Sequence, residues 1–143
     1  MALPTTKVGI ISCSGEEIPE GTITRVATRL VLEKLRPDKT VTICLPLFLA
    51  GDKNERDFAK VYPTITVDGC NKRCAQIATS NLSGKPAYSI VVSDIAKKYP
   101  TVKLKSCQQL TEEEMKIATE MAQEIASKVD TILRRPSTPK SGA

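Results

Sequence analysis

Four short runs of branched residues, Lys7 to Ser12 (KVGIIS), Thr40 to Cys44 (TVTIC), Thr64 to Val67 (TITV) and Tyr88 to Val92 (YSIVV), alternate with stretches of helical periodicity, and this alternation constrains the fold more than any other feature. Such short, β-branched and largely apolar runs read as strands, and the first as one covered on both faces. Strands that alternate with helices pair in parallel, because each crossover helix has to pack back onto the sheet. The expected fold is α/β, a three-layer α/β/α arrangement with a mostly parallel sheet in flavodoxin-like or Rossmann-like order.

From Gly21 to Arg36 the apolar Ile23, Val26, Ala27, Leu30, Val31 and Leu35 share one helical stripe, with Thr22 as the expected cap and Pro37 as the stop. Asn71 to Leu82 reads as a helix closed by Gly84 and Pro86. In the last helix Thr111 and Glu114 form a capping box, and Ala118, Met121, Ala122, Ile125, Val129, Ile132 and Leu133 repeat at helical spacing until Pro136. Met115 and Met121 read as packing residues rather than ligands. Asp52 to Lys60 reads as a short polar helix presenting Phe58 and Ala59 inward, and Thr101 to Lys105 (TVKLK) alternates like a fifth, edge strand. Residues 1–135 are expected to form a single domain, with a disordered tail over 136–143.

Composition narrows the functional classes. At 143 residues the chain can bury a core without cross-links, and with three tyrosines, two phenylalanines and no tryptophan that core must be aliphatic. The formal charge of +5 comes from scattered basic residues with almost no aromatics to stack bases, which argues against nucleic acid as a partner. No apolar run reaches the length of a membrane span, and the N-terminus lacks the pattern of a secretory leader, so a cytoplasmic location without membrane contact is expected. Thiols there stay reduced, and clustered cysteines then indicate metal binding or redox chemistry rather than disulfides.

The chain has five cysteines and no histidine. Without histidine there is no Ser-His-Asp triad, no Cys-His nucleophile pair and no mixed Cys/His zinc site, only all-Cys or Cys/carboxylate ligand sets. Cys13, Cys44 and Cys70 follow the first three strands. A strand order of 2-1-3-4 would bring all three to the carboxyl rim of the sheet, where ligands of such folds collect. Cys70 and Cys74 at Cys-x-x-x-Cys spacing are expected on one face of a helix start, with Cβ atoms about 5 to 6 Å apart, within reach of one tetrahedral ion. Gly69 would supply the turn and Asn71 the cap, and the helix start would favour thiolates. Lys72 and Arg73 oppose the helix dipole there unless an anionic cluster lies nearby.

Cys13, Cys44, Cys70 and Cys74 are therefore expected to form one four-thiolate site, against the plainer alternative of small buried core residues. Cys107, after the weakest strand, reads as packing. Asp68 and Asp94 sit at expected strand ends, as outer or catalytic carboxylates do and as turn formers equally do. The Ser12–Gly15 loop offers main-chain N–H groups, but its spacing fits neither phosphate-binding fingerprint, and Glu16, Glu17 and Glu20 would repel a phosphate.

The residues CSG at Cys13, CLP followed by AG at Cys44 to Gly51, and VDGC-NKR-C at Val67 to Cys74 resemble the DGC-domain family, named for its Asp-Gly-Cys motif. The resemblance covers about residues 7 to 95. It implies a zinc-binding domain whose four ligand cysteines map onto Cys13, Cys44, Cys70 and Cys74, with Asp94 matching an aspartate that ends the fourth strand and no counterpart for Cys107. The chain departs from the family after CSG, where EEIPEG stands in place of a Ser/Asn/Gly-rich turn. The family implies no established reaction, so no catalytic residue follows from it.

The expectation is a metal-binding protein that holds zinc in a structural, metal-carrier or regulatory role. A zinc ion ringed by four thiolates lacks the bound water of a catalytic centre. Cys13, on a loop, is the expected labile ligand. The same thiolates suit an iron–sulfur cluster, and Cys70 with Cys74 as its resolving partner suits thiol-based sulfur transfer or redox catalysis. A third reading gives the last helix an unidentified protein partner.

Overall fold

The computed structural model describes residues 7–105 and 109–134. Its strands are β1 (Val8–Ser12), β2 (Thr40–Thr42), β3 (Thr64–Asp68) and β4 (Tyr88–Val91), and its helices are α1 (Pro19–Leu30), α2 (Leu45–Ala50), α3 (Lys53–Arg56), α4 (Phe58–Val61), α5 (Cys74–Leu82), α6 (Val92–Ala96) and α7 (Glu112–Arg134). The strands form one parallel sheet in the order β2-β1-β3-β4, the flavodoxin-like order expected, with helices on both faces. Ile10 lies level with Thr42 on one side and Ile65 on the other.

Side-chain alternation along the strands divides the interior in two. Val8, Ile10, Ile65, Val67 and Ile90 face α1, α6 and α7, where Ile117, Met121, Ile125 and Val129 meet them in one large aliphatic cluster. Each such side chain stabilises the fold by about 1.5–3 kcal/mol on burial, so this layer supplies most of the cohesion. The opposite cluster is small: Ile11, Phe58 and Ala75, with Cys13, Val41, Ile43, Leu45 and Tyr62 partly buried around them.

Several expected elements have different bounds. Helix α1 starts at Pro19, whose ring is pre-set for the first helical position, and Thr22 is buried inside it rather than capping it. The helix widens into a π-helical turn over Val31–Leu35, after which Arg36 forks onto Asp130 of α7 at 2.8 and 2.7 Å. Strand β2 ends at Thr42, and LPLFLA folds as α2, with Pro46 in the first turn of a helix rather than at a strand end. The polar stretch at 52–60 splits into α3 and α4, the first capped by the Asp52 carboxylate through the Glu55 N–H at 3.0 Å. The capping box of α7 is formed: Thr111 N–H donates to Glu114 Oε1 at 2.9 Å, and Glu114 N–H to Thr111 Oγ1 at 3.2 Å.

TVKLK does not form a fifth strand. Val102 and Leu104 pack against the large cluster, and the Lys105 N–H is held at 2.8 Å by the buried Glu114 carboxylate instead of a neighbouring strand. Cys107, Pro136 and the tail over 136–143 lie outside the described residues. No helix among the described residues is long and apolar enough to cross a membrane.

Candidate functional site

Because β1 lies between β2 and β3, its carboxyl end is flanked by both of theirs. Cys13 prolongs the β1 ladder, donating its N–H to Val67 O at 2.9 Å. Its sulfur accepts the Gly69 N–H at 3.4 Å and lies 3.8 Å from Thr24 Oγ1. Thr24, fully buried on α1, donates to Gly21 O at 2.6 Å and accepts the Ser14 N–H at 3.0 Å, which ties the loop after Cys13 to the helix. Ser14 is left-handed, with φ 51°.

Cys13 follows β1, and Cys44 stands two residues beyond Thr42, the last paired residue of β2, directly before α2. Both residues line a crevice of about 400 Å³ whose walls include Ile43, Leu45, Pro46 and Leu49. Ile43 packs into the small cluster, so the next side chain in the pleat leaves on the other side, and Cys44 is exposed.

The Asp-Gly-Cys stretch differs most from expectation. Helix α5 begins at Cys74, not Asn71, so Cys70 sits in the turn before it and the two thiols do not share a helical face. Asn71 is no cap. Arg73 holds that position in a left-handed conformation, φ 52°, with no side-chain capping bond. The orphan donors of the first turn, which a cap residue ordinarily satisfies, go to Asp68: its carboxylate accepts from Ala75 N–H at 2.7 Å and Gln76 N–H at 3.1 Å. Burial pushes the Asp68 carboxyl above its ordinary value, while those two N–H groups and the Arg73 charge pull it back.

Gly69 is required for close approach rather than for an unusual turn. A Cβ there would fall 2.9 Å from the main chain of both Glu20 and Gly21, and one on Gly21 would fall 1.9 Å from Gly15 O. The start of α1 thus fills the gap between the ends of β1 and β3. That gap is where strand order reverses, the ordinary cofactor crevice of a doubly wound sheet. In this chain the open crevice lies between β1 and β2 instead.

The four cysteines are distributed around one rim: Cys13 and Cys70 half-buried, Cys44 and Cys74 exposed, all as free thiols. Cys13 touches the loop that carries Cys70 and shares a crevice with Cys44. Among the described residues, no three Cys, Asp or Glu side chains are gathered closely enough to hold a metal ion as they stand. Asp94 ends no strand: it is exposed on α6, paired with Lys97 at 3.7 Å. Sequence reasoning missed Thr24, whose role is set by tertiary contacts, and the capping by Asp68, whose only signal was the poor cap that Lys72 and Arg73 make before Cys74.

A family model described as the DGC domain matches residues 9–129. No curated protein and no solved structure matches the chain.

Proposed function

This chain belongs to the DGC-domain family, and on that premise we propose that it is a cytoplasmic metal-binding protein whose Cys13, Cys44, Cys70 and Cys74 hold one zinc ion in a structural, carrier or regulatory role. The observation that carries the proposal is the strand order, which gathers the segments after β1, β2 and β3 at one edge of the sheet. The contact from Gly69 N–H to Cys13 Sγ supports it, since it joins the loop that carries Cys70 to the end of β1. A full set of thiolates and no histidine suits zinc among the common divalent ions. Cys13 and Cys70, half-buried, and Cys44 and Cys74, exposed, would hold the ion. Zinc would supply the positive charge that holds four thiolates together. Each thiol must lose its proton, and affinity rises with pH accordingly.

Anaerobic purification followed by elemental analysis tests this reading. The expected result is a colourless protein with about one zinc per chain, released on thiol blocking. Cys70→Ser should lower metal content sharply and Cys107→Ser should leave it intact. Equal retention in the two variants would falsify the ligand assignment, and a brown protein with visible absorption would replace zinc by an iron–sulfur cluster.

A further inference from the structure

The Asp68 side chain is 1% exposed, and both of its oxygens are occupied by main-chain donors of α5. Asp68 is not among the residues that line the crevice of Cys13 and Cys44. What it encloses is the turn that carries Cys70 and runs into Cys74. One end of that turn is fixed at Gly69, by the N–H contact to Cys13 Sγ and by close packing on Glu20 and Gly21. The other end has no cap of its own and passes through the left-handed Arg73. Such a conformation costs a non-glycine residue about 1–2 kcal/mol and persists only where the surroundings impose it. The Arg73 N–H donates to Cys70 O at 3.2 Å, and beyond Cys74 the N–H groups of Ala75 and Gln76 are held by Asp68, so the turn is closed on both sides of Arg73.

We infer that Asp68 is the positioning residue of the thiol rim: by holding the main chain of Ala75 and Gln76, it fixes where Cys70 and Cys74 stand relative to Cys13. The inference rests on the metal-binding reading for its consequence, tighter zinc binding, but its geometric content concerns the metal-free chain. Asn at this position keeps an acceptor for Ala75 and turns an amide donor toward the Gln76 N–H. It should therefore loosen the turn partially, where Ala loosens it fully.

The test compares metal-free wild type, Asp68→Ala and Asp68→Asn. Alkylation is followed at each cysteine by mass spectrometry, with the exposed Cys44 before α2 as internal reference, and zinc affinity by competition with a chromophoric chelator. Asp68→Ala should raise the Cys70 rate relative to Cys44 by roughly tenfold, as expected for local release of a half-buried group, and weaken zinc by about 10- to 100-fold, with Asp68→Asn between. Unchanged Cys70 reactivity would overturn the inference, as would an equal rise at Cys44, which reports general loosening. If Asp68→Ala does not fold, amide hydrogen exchange decides on Asp68→Asn: protection should fall at Gln76 more than at Ala75, and equal protection in both proteins would overturn the inference. A wild-type protein that binds no zinc removes the metal reading alone, because the alkylation ratio and the amide protection still report on the clamp.

Discussion

At the scale of single residues, glycine and threonine do more here than the cysteines to shape the rim. Gly69 meets main chain, not flexible side chain, so a methyl group there has nothing that can step aside. Gly69→Ala should cost about 1–3 kcal/mol in urea denaturation, the usual range for overpacking. Gly15→Ala is the control: its Cβ would meet nothing closer than 4.0 Å, so the change should stay within about 0.5 kcal/mol. Equal losses for the two would show that the close approach of β3 to α1 is not what Gly69 provides. Thr28, buried on α1, has a hydroxyl with no hydrogen-bond partner among the described residues. Thr28→Val removes that desolvated group at nearly constant shape and should raise stability by about 1 kcal/mol; a loss would mean the hydroxyl is bonded.

At the scale of elements, local and remote capping explain which helices the sequence announces. Helix α7 carries its own start signal, Thr111 with Glu114, and it forms where the sequence places it. Helix α5 is capped by a carboxylate seven positions before Ala75, and no reading of neighbouring residues finds that. The stretch TVKLK has strand periodicity, but its Lys105 N–H is claimed by Glu114 from the next helix, so periodicity alone misassigns it. The join between α1 and α7 gives a pH-dependent test. The Arg36 guanidinium beside Asp130 holds that carboxyl below its ordinary value of 3.8. Its folded value being depressed, the pair contributes stability above the ordinary value and loses it as pH falls through the folded one. Both side chains are about a third exposed, so the contribution is at most about 1 kcal/mol. Asp130→Asn should be less stable than wild type at neutral pH, and the gap should close as pH falls below the ordinary carboxylate value of 3.8 in thermal melts taken across the acid range; a gap that stays constant would mean the ion pair adds nothing.

At the scale of the whole molecule, the sheet divides a thick layer from a thin one. The β-branched runs made the strand order legible, because four parallel strands with helical crossovers leave few windings. The positions of the thiols were legible as main-chain positions and not as side-chain directions. Pleating sends Ile43 and Cys44 to opposite sides, and Cys44, directly before α2, is exposed. The consequence is an uneven distribution of stability. Helix α7 lies against the large aliphatic cluster, whereas α2 buries only Phe48 and α5 only Ala75 and Thr79. Segments with little buried apolar area open at lower free energy. In metal-free protein, amide exchange should be fastest at 44–50 and 69–76 and slowest through α7. A ligand that binds only the folded chain stabilises it in proportion to its occupancy, but it protects most where it joins segments that otherwise open separately. Zinc should therefore slow exchange at 44–50 and 69–76 together while leaving α7 nearly unchanged. Protection of 69–76 alone would mean that Cys44 stays outside the site and that the ion is held by the other thiols without it.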